Sequence, residues 1–185
     1  MRAPVFGKSA GGKFEIGSLA LQCMLGFVQD TPKKLEAGGV LLGRHIIGCT
    51  DIVVDEITLP INGDYRERRR FFRSRKAHQE VINRAWRESS GTCVYLGEWH
   101  THPEADPEPS PIDVCDRQRR LHRDVVYCDT LYFIIVGTCQ LKVWEATRHR
   151  LCCTLLGSYT HTEQWHDATF DIASRSMYNG SKPIA

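Results

Sequence analysis

The stretch Thr92-Cys93-Val94-Tyr95-Leu96-Gly97-Glu98-Trp99-His100-Thr101-His102-Pro103 decides how the chain is read. It begins as a short apolar run of buried-strand type and passes into a polar string that packing does not explain. From Pro103 to Pro109, prolines alternate with the acids Glu104, Asp106 and Glu108, which predicts an irregular loop. Ser110-Pro111-Ile112-Asp113 then carries the marks of a helix start: serine at the N-cap, proline at the first helical position and an acid in the first turn. That helix is expected to run to about Leu121.

Working outward, Ile16, Leu19, Ala20, Cys23, Met24 and Phe27 recur at helical spacing, with Ser18 as N-cap and Pro32 barring continuation. Gly38 to Leu42 and Asp51 to Leu59 read as β-rich segments split by Gly43 and Gly48 and closed by the Pro60-Ile61-Asn62-Gly63 turn. Ala77 to Ser89 restores helical period and Gly91 stops it. Thr130 to Val136, Leu141 to Ala146 and Leu151 to Leu155 are three more strands. This order predicts an α/β protein with a mixed β-sheet flanked by helices. The 185 residues suit one domain. Residues 1–13 form a loose lead-in, 14–157 the domain, and 158–185 a tail to which no role is assigned. A chain of this size hides roughly 70% of its unfolded surface, so it needs no metal staple, and a metal would be functional.

Eight cysteines are present without a single C-x-x-C pair, which removes the usual sulfur-zinc spacing and leaves them as small buried hydrophobes in a reduced protein. The N-terminus lacks an apolar signal core and no run of about 18 apolar residues occurs, so a cytoplasmic protein without a membrane partner is expected. A net charge of +2 does not suit a dedicated nucleic-acid binder. No glycine-rich phosphate loop of Rossmann or Walker spacing is present. Charge is local instead: Arg66 to Lys76 holds seven basic residues against Glu67. Such a run is ordinarily a solvated edge strand or loop. The alternative is a docking surface for an anionic partner, with Arg69, Arg70 and Arg73 as candidate substrate-binding residues.

His100-Thr101-His102 is the feature that points to chemistry. In extended chain, residues two apart share a face, and Pro103 biases His102 toward extended geometry, so both imidazoles can converge on one ion. Asp113, in the first turn of a helix that the proline-rich loop can fold back, supplies a carboxylate oxygen. Three protein ligands with a fourth position for water is the catalytic zinc pattern. Cys115 would face away from Asp113 on the helix. Ser110 at the N-cap has its hydroxyl at the helix mouth, where it can donate to a substrate oxygen as well as cap. Glu98 shares the strand face of His100 and fits a supporting structural role; Trp99, on the opposite face, belongs to the core.

The pattern His100-x-His102, seven residues, Ser110, two residues, Asp113 resembles the signature of JAMM (MPN-type, JAB domain) zinc metalloproteases, and the string Gly97 to Pro103 looks like their prokaryotic branch. That family places a glutamate beside a Gly-Gly-x-Leu-Leu-Gly strand, and this chain has Glu36-Ala37-Gly38-Gly39-Val40-Leu41-Leu42-Gly43. The resemblance covers about residues 14–146. It implies a cytidine deaminase-like α/β architecture, one Zn²⁺ on His100, His102 and Asp113, Glu36 as the proton-transferring catalytic group, and Ser110 as donor to the carbonyl oxygen. It further implies an isopeptidase or peptidase acting after the C-terminus of a ubiquitin-like modifier or a modifier-like tail. Stand-alone bacterial members of this length resemble the deconjugating peptidase of CBASS anti-phage operons, which releases a cyclic-nucleotide synthase. Processing of a sulfur-carrier protein is the neighbouring alternative, and a metal-free MPN scaffold the alternative of another class. The Cys and His residues after Asp113 lack a four-ligand spacing, which counts against an added linkage-selective zinc site.

Overall fold

The computed structural model describes residues 3–123, 129–148 and 150–161. The elements are β1 (Val5–Gly7), β2 (Lys13–Ile16), α1 (Ser18–Leu25), β3 (Gly38–His45), β4 (Ile52–Ile57), β5 (Tyr65–Glu67), β6 (Arg70–Phe72), α2 (Arg75–Glu88), β7 (Val94–Thr101), α3 (Pro111–Arg123), β8 (Thr130–Val136), β9 (Gln140–Thr147) and β10 (Arg150–Thr160). Eight strands form one sheet in the order β1-β2-β4-β3-β7-β8-β9-β10, while β5 and β6 form a separate hairpin. The β2–β4 and β7–β8 pairs are parallel and the remaining pairs antiparallel, so the sheet is mixed, as expected.

Helices cover both faces because each face carries its own apolar set. On one side, α1 packs Ala20, Leu21, Met24 and Leu25 against Phe14, Ile16, Leu41, Leu96, Trp99 and Ile134. On the other, Val81, Ile82 and Ala85 of α2 and Leu121 of α3 meet Val40, Leu42, Tyr95, Phe133 and Trp144. No helix among the described residues is long and apolar enough to cross a membrane.

The centre of the sheet is organised by an irregularity. Opposite β3, Leu41 pairs with Gly97 and Leu42 with Tyr95, so Leu96 is an extra residue and β7 is bulged. Strict alternation would send Leu96 and Trp99, three apart, to opposite faces. The bulge puts both in the α1-side core and turns Tyr95, Glu98 and His100 to the α2/α3 side. Gly97 sits at φ +149°, and a Cβ there would lie 1.8 Å from the Tyr132 carbonyl oxygen of β8. Only glycine fits, because a side chain would force the β7–β8 pair apart.

Several sequence expectations need correction. Residues 1–13 are not a loose lead-in: β1 and the start of β2 lie within them, pair with each other and join the main sheet through β4. Ile16 belongs to β2, not to the first helix, and the N-cap is Gly17, with Ser18 the first helical residue. Strand β3 runs through Gly43 to His45. Strand β10 extends to Thr160, three residues into the expected tail; residues from 162 on lie outside the described residues. Among the described residues the cysteines are less buried than expected. Cys23 and Cys93 pack against the two cores, but Cys49, Cys115 and Cys153 are exposed.

Replacing Gly97 with alanine is expected to cost about 4 kcal/mol or more, or to prevent soluble folding, because the clash is with backbone and not with a movable side chain. Urea unfolding beside the unchanged protein measures this; a Gly97→Ala protein of ordinary stability would contradict the bulge's role.

Candidate active site

The C-terminal end of β7 delivers His100 and His102. The bulge sets their face, and the His102 amide donates to the Val136 carbonyl of β8 at 2.9 Å, which extends the strand geometry one residue past β7. The acidic proline loop that follows is pinned to the β8–β9 turn. Thr138 N–H donates to Glu104 O at 2.8 Å, Lys142 pairs with Asp106 at 2.5 Å and with Glu108, and the Gln140 amide donates to Asp106. This loop therefore returns Ser110 and α3 to the strand end. There the Ser110 amide donates to Asp113 Oδ2 at 2.6 Å, and the Asp113 amide donates to Ser110 Oγ at 3.3 Å. The reciprocal pair is a capping arrangement that fixes the Asp113 carboxylate.

Three groups converge. His100 Nε2 and His102 Nε2 lie 3.1 Å apart, His100 Nε2 is 3.2 Å from Asp113 Oδ1, and His102 Nε2 is 3.4 Å from Asp113 Oδ2. His102 Nδ1 faces Glu104 at 3.5 Å, so Glu104 can hold an Nδ1 proton when Nε2 serves as a metal ligand. Glu36 reaches the same place from the start of β3, and its carboxylate and the two imidazoles offer ligand atoms all within 4.8 Å of one another. Glu36 is 5% exposed. Burial, then the charges of Asp113 and Glu104, push its carboxyl up to about 8. Burial would also raise Asp113, but hydrogen bonds from His100, His102 and Ser110 hold it far below the usual carboxylate range. Burial lowers His100. Buried acids and imidazoles gathered around one point form a site whose charge a cation would balance.

Glu36 is held by residues that sequence reasoning missed. Its amide donates to the Glu67 carbonyl of β5 at 2.8 Å, and its carbonyl accepts from Arg66 Nε at 2.8 Å. Next to it, the Ala37 amide donates to Thr101 Oγ1 at 3.0 Å. The Thr101 hydroxyl in turn donates to Gln29 Oε1 at 3.1 Å, and the Gln29 amide reaches the Lys34 and Arg68 carbonyls. Thr101 points away from the two histidines that flank it and braces the glutamate from behind the sheet. Arg66 is thus no solvated member of the arginine run. Of the candidate substrate-binding residues, Arg69 and Arg70 at the β5–β6 turn line a groove beside His102 and Ser110, whereas Arg73 is turned inward against Glu98 at 2.5 Å. Glu98 also faces Arg120 at 3.1 Å, a structural role on the His100 face; Trp99 is buried and donates from Nε1 to Thr58 O.

Residues 28–151 match the family model of prokaryotic homologs of the JAB domain. The chain belongs to that family. It is 39% identical over 124 residues to a Vibrio cholerae protein named CD-NTase/cGAS isopeptidase, a match covering 65% of this chain and 72% of that one. A Pseudomonas aeruginosa protein of the same name is 41% identical over 86 residues, covering 46% and 53% of the two chains. A Sinorhizobium fredii protein named probable metalloprotease y4qB is 39% identical over 83 residues, covering 43% and 48%. The solution structure of a Desulfitobacterium hafniense protein superposes with a TM-score of 0.53 at 22% identity, over 76% of this chain and 87% of that one, which supports the shared fold.

The brace behind Glu36 is testable by itself. Thr101→Val removes the acceptor of the Ala37 amide and the donor to Gln29, two buried groups, and is expected to lower stability by about 1–3 kcal/mol in urea unfolding. Thr101→Ser, which keeps the hydroxyl, should recover most of it. Equal stability of the valine and serine variants would contradict the brace.

Proposed function

We propose that this chain is a zinc-dependent isopeptidase that cleaves after the C-terminus of a ubiquitin-like modifier or a modifier-like tail. In bacterial anti-phage defence it would release a conjugated cyclic-nucleotide synthase. The observation that carries the reading is the cluster of His100 Nε2, His102 Nε2 and the Asp113 carboxylate: 3.1 Å between the nitrogens, 3.2 Å from His100 to Oδ1 and 3.4 Å from His102 to Oδ2. Four-coordinate zinc at bonds of about 2.0–2.1 Å separates neighbouring ligand atoms by roughly 3.3 Å, so these groups fit the ion. The relatives named isopeptidases and the one named a probable metalloprotease support the same chemistry.

Zinc, when bound, supplies a water acidic enough to ionise near neutral pH and a Lewis acid for the carbonyl. His100, His102 and Asp113 would hold it, with the Glu36 carboxylate beside them. The Glu36 carboxylate takes the proton of the attacking water and hands it to the departing amine, which is lysine Nζ in an isopeptide. Burial and the neighbouring acids raise this carboxyl, and a bound cation would oppose that rise and favour the carboxylate that takes the proton. The Ser110 hydroxyl, fixed at the mouth of α3, donates to the carbonyl oxygen as negative charge develops there. Arg69 and Arg70, lining the groove on the Ser110 side, face the incoming substrate.

The full chain incubated with a CD-NTase C-terminal tail fused to a reporter protein, with and without a chelator, tests this. Glu36→Gln is expected to keep one zinc per chain and lose activity by about 10²-fold or more. His102→Ala and Asp113→Ala should lose both metal and activity. Zinc-free, fully active His102→Ala protein would contradict the mechanism. Separately, Arg69→Glu with Arg70→Glu should raise the Michaelis constant in a salt-dependent way and leave zinc content alone. An unchanged constant would return these two arginines to the solvated edge.

A further inference from the structure

Two depressions adjoin the metal cluster and share Glu36, Phe71, Asp113 and Asp116. One, beside His102, holds Ser110 and the tips of Arg69 and Arg70. The other opens beside His100 and is lined by Arg73, Glu98, Asp116, Arg117, Arg119 and Arg120. Among the described residues its charge is unbalanced. Glu98 is shared by Arg73 at 2.5 Å and Arg120 at 3.1 Å, and Asp116 is taken by Arg119 at 2.5 Å. No carboxylate among the described residues pairs with Arg117. Four guanidiniums therefore meet two carboxylates, and the remaining acids, Glu36 and Asp113, belong to the metal cluster.

Arg117 is unusual in itself. It stands one turn beyond Asp113 on α3, is 3% exposed, and its Nε and Nη2 find no hydrogen-bond acceptor. Its guanidinium lies 5.1 Å from the Phe133 ring centroid and 4.7 Å from that of Trp144, with the Cys153 sulfur and Asp113 nearby. Two aromatic faces hold this cation in place without neutralising it. Arg120 stands in front, a fifth of its side chain exposed, and its buried Nε meets Glu98 as an ion pair without hydrogen-bond geometry. A buried, fixed positive charge behind a partly open guanidinium favours an anion strongly, because little solvent screens it.

We infer that this crevice is a specificity pocket for an acidic side chain, aspartate or glutamate, of the substrate polypeptide. The inference rests on the isopeptidase reading. The crevice is lined by His100 and Asp113 as well, so the recognised side chain belongs to a residue near the scissile bond. Its carboxylate pairs with Arg120 and is stabilised from behind by Arg117. The pocket's own arginines, Arg73, Arg117, Arg119 and Arg120, are not those of the Arg69/Arg70 groove, so it reads a different part of the substrate.

The test uses the ¹⁵N-labelled full chain with zinc in the buffer, titrated with two end-blocked peptides, acetyl-Gly-Gly-Asp-Gly-Gly-amide and its Asn counterpart. The expected result is saturable movement of the Arg117 and Arg120 Nε–H signals by the Asp peptide, with affinity about tenfold above that of the Asn peptide. Arg120→Gln should reduce the Asp peptide to the Asn level, and Arg120→Lys should keep part of the preference. Equal binding of the two peptides would overturn the inference. So would Asp binding undiminished in Arg120→Gln, which would place the carboxylate on the metal. Because the titration requires no turnover, an inactive protein with a clear Asp preference would count against the isopeptidase reading alone. An active one without the preference would count against the pocket alone.

Discussion

The register of β7 is the constraint on which the rest depends. One extra residue at Leu96, permitted by a glycine whose Cβ position is filled by the Tyr132 carbonyl, lets Leu96 and Trp99 enter one core while His100 and His102 face the other side. A one-residue slip in a strand exchanges its two faces. Here that slip is built in, and it separates packing from chemistry along a single strand. Thr101, between the two histidines, points into the core side and braces the segment that carries Glu36. The same segment therefore presents two imidazole ligand candidates on one face and, through Thr101 on the other, positions the backbone that carries Glu36.

Around that strand, three segments far apart in sequence are brought to one point by different means. The β3 pairing sets Gly38 opposite His100, and the β5 hairpin grips the backbone of Glu36 through Glu67 and Arg66. The acidic loop, tied down by Lys142, returns Ser110 and Asp113. Assembling two acids and two imidazoles in a half-buried place costs desolvation and like-charge repulsion, visible in the upward shift of Glu36. Functional sites are where such local cost is expected to sit.

Much of this was legible in the sequence, for identifiable reasons. The strand-loop-helix order around His100 and Asp113 rests on local signals: alternation, proline density and an N-cap followed by proline. These set the elements regardless of distant contacts. Ala77 to Ser89 read as a helix for the same reason and is one, shifted by two residues at its start and one at its end. What escaped was long-range. The first two strands are three and four residues long, too short for a period, and exist through pairing. The bulge breaks the alternation that would reveal a strand face. Gln29, Arg66 and Thr101 act through hydrogen bonds spanning 30 to 72 residues, which no local pattern marks. Arg117 lies on a helix rich in charged residues, and its burial between Phe133 and Trp144 is set by tertiary packing that no local pattern marks.

The central claim, that two imidazoles and one carboxylate of this chain hold a catalytic zinc, is tested most directly by X-ray absorption at the zinc edge on the loaded full-length protein. The account predicts about one zinc per chain with four nitrogen or oxygen neighbours at about 2.0–2.1 Å, an imidazole signature from two histidines, and no sulfur. A sulfur shell near 2.3 Å, which would assign the metal to the cysteines, or a failure of the chain to retain zinc, would contradict it.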